Sequence, residues 1–303
     1  MAIVDWIYIV NIAGFAKSAF SEGEPDVASE LGSRCAGILN ARGSCGGGSA
    51  AHAQSALDKI VQSKTLRCGV QLDYPPAGFR NQKNEPDGYD VAYCKDMAKA
   101  LGATAQIIET PSSERIPALV SNRIDVLIAS ASITTQRALT VAFSQPYVSY
   151  TNVVLTSNDT GVEKFDDMKG RAIGGVTGTT TEQELKSLYS AWKDAKGSYT
   201  GYGSEAESYL ALTQGKIDGI ILGNASAGAL VRSGQFPTLV IKGEAPTPAD
   251  LCGIAVRKDD RDLLSWVRVF VWSQVRTGRY KELYSQYFGG SEPPSLSVPG
   301  VDF

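Results

Sequence analysis

The sequence has almost no histidine. His52 is the one histidine among 303 residues, and it lies in a segment rich in Gly, Ala and Ser ahead of the first patterned strand. The patterned part of the chain is therefore expected to contain no imidazole. This scarcity excludes Ser-His-Asp and Cys-His nucleophile systems, histidine-bearing zinc sites and an imidazole general base. Neither a metal site nor a cofactor is expected.

Clusters of positive charge and long apolar runs are also missing. Lys and Arg number 29 against 32 Asp and Glu, and no basic block stands out, so a nucleic-acid partner is not expected. No stretch of about 20 apolar residues follows the patterned region, so an integral membrane receptor is not expected. With 43 % hydrophobic and 20 % charged residues, the composition is that of a soluble globular protein. The length allows two domains.

The five cysteines form no CxxC pair. Cys35 and Cys45 lie in the irregular N-terminal region, whereas Cys68, Cys94 and Cys252 lie in apolar patterns typical of buried, unreactive thiols. Cys68 is on the first predicted strand, and Cys94 is on the helix expected to pack over it. These two thiols could come close enough to form a disulfide, and the sequence leaves both states open.

Residues 1–53 differ from the rest of the chain, with an apolar opening followed by Gly, Ser and Ala of little periodicity. Ala51-His52-Ala53 has the small-x-small form of a signal-peptidase site immediately before Gln54. The stretch ahead of it contains Arg42 and Cys45-Gly46-Gly47-Gly48 instead of a continuous apolar core. We interpret residues 1–53 as a targeting segment of unusual form, with a disordered tail as the alternative.

From Leu66 onward, short apolar runs alternate with helical patterns. A first group contains predicted strands at 66–72, 105–109 and 125–129 and helices at 90–101 and 114–121. A second group contains strands at 152–156, 171–176, 218–222 and 238–241 and helices at 181–190 and 206–214. A strand at 252–256 and helices at 260–277 and 280–288 follow. The repeated βα order predicts mostly parallel sheets flanked by helices on both faces.

We interpret the two groups as two α/β lobes. The first would comprise residues 54–151 together with the returning segment 249–303, and the second would comprise residues 152–248. The chain would then cross twice between the lobes, which makes a hinge. Ligands in open α/β sheets bind beyond the carboxyl ends of the strands, so the cleft beside the hinge is the expected binding site.

A motif suited to an anion spans residues 128–137, where a predicted strand runs into a helix. Ser130 and Ser132 supply hydroxyls, the helix start supplies unpaired N–H groups, and Arg137 supplies a planar guanidinium suited to a carboxylate. An ordinary helix start has the same appearance, and Arg137 could instead pair with a surface acid.

A second motif follows the strand that ends at Val176. Gly178 allows close backbone approach, and Thr179 and Thr180 open a helix whose N-terminus presents free N–H groups and the positive end of a dipole. Glu182 is interpreted as the helix's own capping acid rather than as a catalytic group.

The order of the motifs resembles that of the family-3 extracellular solute-binding proteins, the receptors of polar amino acid ABC importers. The resemblance covers residues 57–288 and rests on seven pieces: Tyr74-Pro75-Pro76, Gly88-Tyr89-Asp90-Val91, Arg115-Ile116-Pro117-Ala118-Leu119, the stretch 130–137 with Phe143-Ser144-Gln145-Pro146-Tyr147, Gly178-Thr179-Thr180 with Glu182, Gly215-Lys216-Ile217-Asp218, and Gly253-Ile254-Ala255-Val256-Arg257-Lys258. It implies a type II periplasmic-binding-protein fold. It also implies a monomeric periplasmic receptor that closes over one small ligand and docks to a membrane permease.

The resemblance assigns roles to the two anion motifs. Arg137 would hold the ligand's α-carboxylate, helped by the backbone and hydroxyls of Ser130 and Ser132. Thr179 and Thr180 would add donors from the second lobe, so that closure completes an anion-binding site.

Three further residues are candidates for contacts to the rest of the ligand. Tyr74 would pack its ring against the ligand, although a Tyr-Pro-Pro turn can also simply end a strand. Gln71 and Arg115 could bind a ligand side chain, and Arg115 could equally brace its own helix against Glu114 or Asp125.

The sequence departs from the family pattern where the ligand's ammonium group is usually bound. Gly223 stands in the position of the usual acid, and the following Asn224 offers a carbonyl without charge. An uncompensated ammonium in a closed cleft would cost several kcal/mol, so either another group binds it or the ligand lacks a free α-amine. If the missing acid is what excludes ordinary amino acids, Gly223→Asp is expected to strengthen their binding.

Enzymes on the same scaffold are the main alternative. The cyclohexadienyl and arogenate dehydratases carry an acid where this chain has Glu182, but their essential lysine falls at Asn152. We therefore expect a binding protein without chemical turnover, the substrate-binding component of an ABC importer. Its ligand is expected to be a small carboxylate, an amino acid or a derivative, whose identity the sequence leaves open.

Overall fold

The structure is a computed structural model that describes residues 54–193, 196–289, 293–294 and 296. The targeting interpretation of residues 1–53, with Cys35 and Cys45, lies outside the described residues. The strands are β1 (Thr65–Val70), β2 (Asp73–Tyr74), β3 (Gly78–Arg80), β4 (Pro86–Asp87), β5 (Thr104–Glu109), β6 (Val126–Leu127), β7 (Val141–Tyr150), β8 (Asn152–Ser157), β9 (Ala172–Val176), β10 (Ser198–Tyr202), β11 (Ile220–Gly223), β12 (Leu239–Glu244) and β13 (Asp250–Arg257).

The α-helices are α1 (Ala56–Ser63), α2 (Tyr89–Ala100), α3 (Arg115–Val120), α4 (Thr135–Ala138), α5 (Thr180–Trp192), α6 (Glu205–Thr213), α7 (Asn224–Ser233), α8 (Arg261–Arg276) and α9 (Arg279–Phe288). Short 3₁₀ turns occupy Ser112–Glu114 and Phe165–Met168. Within the described part of the chain, no helix is long and apolar enough to cross a membrane.

The first lobe is built on a five-stranded sheet with the order β5-β1-β6-β13-β7. β1 pairs in parallel with both β5 and β6, whereas β13 pairs antiparallel with both β6 and β7. β13 follows the second lobe in sequence, so the chain returns to the first sheet as expected.

In the second lobe, β8 pairs antiparallel with β11 and β12, and β9 pairs in parallel with β10. A parallel bridge between Ile173 and Gly219 joins these two parts.

The first sheet is therefore mixed rather than mostly parallel, and the second lobe combines a two-stranded parallel sheet with a three-stranded antiparallel one. The difference in the first sheet arises at the hinge, where β7 leaves the first lobe and β13 returns to it. Strands that cross the same hinge in opposite directions and lie side by side must pair antiparallel, as Tyr150 and Asp250 do. The repeated βα order predicts parallel pairing only for strands of one lobe that are joined by a crossover helix. It gives no information on strands that enter or leave the lobe at the hinge.

Each sheet is covered on both faces by apolar side chains. In β8, Val153 and Leu155 belong to one cluster of the second lobe and Val154 belongs to another. In the first lobe, Val126 and Leu127 likewise separate into two clusters. This alternation is the two-residue period of a strand, and it confirms the prediction of helices on both faces.

Two elements of the second lobe are absent from the predicted set. β10 contains three exposed polar or glycine positions among its five residues, which removes the apolar alternation by which strands are recognised. α7 begins Asn-Ala-Ser-Ala-Gly-Ala, and small residues of this kind give little helical periodicity.

Cys68 and Cys94 form a disulfide that joins β1 to α2, with their Cα atoms 6.2 Å apart. This settles the alternative that the sequence left open. Cys252 is free and fully buried on β13, as its apolar pattern predicted.

The disulfide closes a segment with a sequence separation of 26 residues. Replacing both cysteines by alanine is expected to lower the free energy of unfolding by about 3 kcal/mol, because the unfolded chain regains loop entropy. Guanidinium unfolding of wild type and the double variant measures this loss. Cys252→Ala is the matched control, since it truncates a buried thiol without removing a crosslink. A double variant no less stable than that control would contradict the prediction.

Candidate ligand-binding cleft

A small cavity of about 30 Å³ lies between the two lobes. Its lining contains seven of the nine residues that the sequence singled out, with Gln71 and Asn224 as the exceptions. The full set is Tyr74, Arg115, Ser130, Ser132, Arg137, Asn152, Thr179, Thr180, Thr181, Glu205, Leu222 and Asp250. Because its lining side chains meet one another, the cleft is closed.

Arg137 connects the two sides of the cleft. Its Nη1 donates to the Ser132 carbonyl at 2.9 Å, and its Nη2 donates to the Gly178 carbonyl of the second lobe at 2.8 Å. Burial lowers the pKa of Arg137 to about 10, and the nearby Arg115 adds to the effect. Arg137 forms no ion pair with any described residue. A partly buried guanidinium whose acceptors are neutral carbonyls is suited to a carboxylate ligand.

Three side chains meet beside Arg137. The Ser132 and Thr180 hydroxyls lie 2.9 Å apart across the cleft. Both donate to Asp250 Oδ2, at 2.8 Å from Ser132 and 3.3 Å from Thr180. Burial raises the pKa of Asp250, while these hydroxyls and Arg137 oppose that shift.

Sequence reasoning missed Asp250 because it lies 113 positions after Arg137, at the start of the second crossing strand. The two residues become neighbours only when β13 enters the first sheet. The one feature of the sequence that could have indicated Asp250 was the presence of an acid at the beginning of a predicted hinge strand.

The N-terminus of α5 faces the cleft from the second lobe. Thr179 caps it by accepting from the Glu182 N–H at 3.0 Å. The N–H groups of Thr180 and Thr181 belong to the first turn, where no intrahelical acceptor exists, and both residues line the cleft. Gly178 has φ +88°, and a Cβ there would lie 2.9 Å from the Ser112 carbonyl of the opposite lobe. Glycine therefore permits this close approach.

Glu182 performs the capping role expected of it. Its Oε2 accepts from the Gly178 N–H at 3.0 Å, and its Oε1 pairs with Lys186 at 2.7 Å. Glu182 is not among the residues that line the cleft.

A second charged cluster occupies another part of the cleft. Arg115 Nη2 donates to Ser112 Oγ at 2.8 Å and to Gln71 Oε1. The Gln71 amide then donates to Asp73 Oδ1 at 2.8 Å, and Asp73 Oδ2 accepts from the Glu205 N–H at 3.0 Å. Gln71 thus lies behind the lining and links Arg115 to the N-terminus of α6.

Arg115 does not brace its helix in the way the sequence allowed. Glu114 pairs with Arg123, and Asp125 pairs with Arg67. The Arg115 Nε atom is buried and has no hydrogen-bond partner in the described structure. Arg115 is therefore a buried cation that, like the partly buried Arg137, lacks a carboxylate partner among the described residues.

Glu205 is an acid of the cleft that the sequence analysis did not single out. It is 3 % exposed at the first position of α6. Burial raises its pKa to about 8, and the neighbouring Asp73 raises it further. Glu205 is thus mostly protonated near neutral pH.

Tyr74 and Gly223 meet across the cleft. A Cβ on Gly223 would lie 2.3 Å from the Tyr74 hydroxyl oxygen and 3.6 Å from Tyr150 Cβ. The Tyr74 hydroxyl therefore occupies the space into which a side chain at position 223 would extend. The expectation that Gly223→Asp strengthens binding does not hold, because the added side chain would collide with Tyr74.

Asn224 is not among the residues that line the cleft. It is exposed, it begins α7, and its Oδ1 accepts from the Ala225 N–H at 2.9 Å. The turn from β11 into α7 directs the residue away from the lining, and α7 was not predicted.

A buried network fixes Ser130. Asp90 Oδ1 accepts from the Tyr147 hydroxyl at 2.7 Å, and Asp90 Oδ2 accepts from Ser130 Oγ at 3.1 Å. The Ser130 N–H donates to the Tyr147 hydroxyl at 2.9 Å, and Ser130 Oγ lies 3.0 Å from the Tyr150 hydroxyl. Burial raises the pKa of Asp90 to about 7. Ser130, with φ +46°, is held in the left-handed region by these contacts.

A larger cavity, of about 540 Å³, lies beside α1 and the start of β1. Its two arginines already have acidic partners, since Arg67 pairs with Asp125 and Arg257 pairs with Asp260. The smaller cleft is the better candidate for a charged ligand because its two arginines have none.

The sequence profile of the bacterial extracellular solute-binding proteins, family 3, matches residues 66–290. The chain belongs to this family. The L-cystine-binding protein TcyJ of Escherichia coli (strain K12) is 29% identical over 239 residues, which cover 78% of this chain and 87% of that protein. The comparison confirms the resemblance that the order of motifs indicated.

Solved structures confirm the type II periplasmic-binding-protein fold of this family-3 protein. A mutant of ArgBP from T. maritima superposes with a TM-score of 0.70 at 30% identity, covering 77% of this chain and 99% of that one. The ancestral amino acid-binding protein AncCDT-1, described as a precursor of cyclohexadienyl dehydratase, superposes with a TM-score of 0.69 at 27% identity, covering 77% and 100%.

The raised pKa of Asp90 predicts that stability depends on pH. Asp90 holds its proton in the folded family-3 protein up to about pH 7, whereas in the unfolded chain it ionises near 3.8. The folded state therefore binds more protons in this window, and the free energy of unfolding should fall as pH rises through it. Glu205 acts in the same direction up to about pH 8.

Asp90→Asn is expected to flatten this fall. Urea unfolding of the variant and of wild type at several pH values across the window measures the two slopes. Glu205→Gln, which removes another buried acid, should flatten the fall between about pH 4.5 and about pH 8. Equal slopes for wild type and Asp90→Asn would contradict the prediction.

The contact between Gly223 and Tyr74 predicts a rescue experiment. Gly223→Ala should overpack the closed cleft, cost about 1–3 kcal/mol and shift the lobes towards an open arrangement. Small-angle X-ray scattering should then show a larger radius of gyration. Adding Tyr74→Phe removes the colliding oxygen and should restore closure. A double variant as open as Gly223→Ala alone would show that the hydroxyl is not the cause.

Proposed function

We propose that this family-3 protein is the substrate-binding component of an ABC importer and binds an α-amino acid in the cleft between its lobes. The observation that supports this most directly is the partly buried guanidinium of Arg137. It has no acidic partner among the described residues, and the N-terminus of α5 lies across the cleft from it. TcyJ is named as an L-cystine-binding protein, and ArgBP from T. maritima has an arginine-bound form.

Binding is then an exchange of acceptors. When the cleft opens, Arg137 loses the Gly178 carbonyl, and the ligand's α-carboxylate takes its place. The N–H groups of Thr180 and Thr181 add donors around the same carboxylate. Two or three charge-assisted hydrogen bonds of about 1.5–3 kcal/mol each supply much of a micromolar affinity, which is about 8 kcal/mol.

Closure of the lobes completes this site. We assign residues 54–151 and 249–303 to the first lobe and residues 152–248 to the second. Contacts between these parts include Ser132 with Thr180 and Asp73 with the Glu205 N–H. A ligand that contacts both lobes would replace such contacts and favour the closed arrangement.

A dehydratase activity is disfavoured by the two positions at which it would reside. Glu182 is engaged with the Gly178 N–H and Lys186, outside the lining. Asn152 lines the cleft and donates its amide to Thr247 Oγ1 at 2.9 Å. Asn152 has no group that can carry a proton as a lysine does. We propose binding without turnover.

The remaining assignments follow from the same proposal. A periplasmic location agrees with the Cys68–Cys94 disulfide, because disulfides persist in oxidising compartments. The partners would be the amino acid and the membrane permease of the importer, and the receptor would act as a monomer.

Arg137→Ala tests the proposal. We expect the affinity for L-cystine or L-arginine to fall about 100-fold or more in isothermal titration calorimetry, because the ligand carboxylate loses its charged donor. Arg123→Ala, which removes an exposed arginine paired with Glu114, should bind as wild type does. Urea unfolding verifies that both variants fold. Unchanged affinity of Arg137→Ala would overturn the carboxylate site.

A further inference from the structure

The cleft needs a partner for the ligand's α-ammonium group, and position 223 cannot supply it. Gly223 has no side chain, and the Tyr74 hydroxyl fills the space beside it. An ammonium left without an acceptor in the closed cleft would oppose binding strongly. This question rests on the proposed function, because it arises only if the ligand is an amino acid.

Two acids line the cleft, Asp250 and Glu205. In an α-amino acid, the carboxylate and the ammonium are attached to the same carbon, so the groups that bind them must be neighbours. Asp250 is a neighbour of Arg137, because both residues contact Ser132. Arg137 donates to the Ser132 carbonyl, and the Ser132 hydroxyl donates to Asp250.

Glu205 belongs to the other cluster. It is linked through its own N–H to Asp73, and from there through Gln71 to Arg115. No described hydrogen bond joins it to Ser132 or Arg137. Glu205 and Arg115 are therefore placed to contact the ligand's side chain.

We propose that Asp250 binds the ligand's α-ammonium group in place of the acid missing at position 223. Its Oδ2 is held by the Ser132 and Thr180 hydroxyls, and its Oδ1 accepts no hydrogen bond from the described residues. The carboxylate is thus oriented, lines the cleft and has an oxygen available.

The charges of the cleft are consistent with this assignment. Arg137 and Asp250 are both partly buried, and neither forms an ion pair with a described residue. A zwitterion gives each of them an opposite charge at the same time, which offsets the cost of burying both. A carboxylate without an amine would bring an opposite charge to Arg137 alone and none to Asp250.

Asp250 also connects the ligand to the hinge. It is the first residue of β13 and pairs with Tyr150, the last residue of β7. An ammonium bound here would contact a crossing strand directly. Ligand binding would then restrain the strand that must bend when the lobes separate.

The test compares amino acids with their 2-hydroxy acid analogues, which keep the carboxylate and side chain and replace the ammonium by a hydroxyl. The probes are L-cystine and L-arginine, each with its analogue, measured by titration calorimetry. Wild type should prefer the amino acid about 30-fold or more. Asp250→Asn should lose most of that preference while its affinity for the hydroxy acid changes less than about threefold. Asp250→Glu, which keeps the charge, should retain part of the preference.

Glu205→Gln is the matched control, since it replaces the other acid of the same cleft by an amide of similar shape and should keep the preference. Three results would overturn the proposal: equal losses for both ligands in Asp250→Asn, tighter binding of both, or loss of the preference in Glu205→Gln instead. Failure of wild type to bind either amino acid would contradict the proposed function itself. Arg137→Ala should weaken both ligands alike, which separates the two claims.

Discussion

The antiparallel pairing of β7 with β13 is the constraint on which the rest of the structure depends. β7 leaves the first lobe and β13 returns to it, so their pairing closes the five-stranded sheet and fixes both crossings at one edge of the cleft. The pair Tyr150 and Asp250 marks this place. Because the crossings are adjacent, the lobes can separate by bending a few residues, and the binding groups of each lobe face those of the other.

The cleft is organised by incomplete charge compensation. Arg115 is a buried cation and Arg137 a partly buried one, both with neutral acceptors, while burial raises the pKa values of the partly buried Asp250 and the buried Glu205. Burying such groups without opposite charges is unfavourable, and a ligand that carries those charges removes the cost. The burial of these groups without opposite charges therefore lowers the stability of the protein without ligand and favours binding of a charged ligand.

Much of this arrangement could be predicted because local patterns carry it. Apolar runs and helix starts located most strands and helices, and the motifs around Arg137 and Thr179 identified both sides of the cleft. Asp250 and Glu205 could not be found in this way, since their role depends on which strands become neighbours. The space beside Gly223 was equally invisible, because Tyr74, which fills it, lies about 150 residues earlier in the chain.

The sequence by itself determined the two-lobed α/β class, the family and the motifs proposed to bind a carboxylate, since each follows from short-range order along the chain. Only the tertiary structure decided the mixed strand directions, the disulfide between Cys68 and Cys94, and the position of Asp250 beside Arg137. These features arise where distant segments meet. Their geometry is set by the return of β13 to the first sheet. No local sequence pattern predicts which strands β13 will pair with.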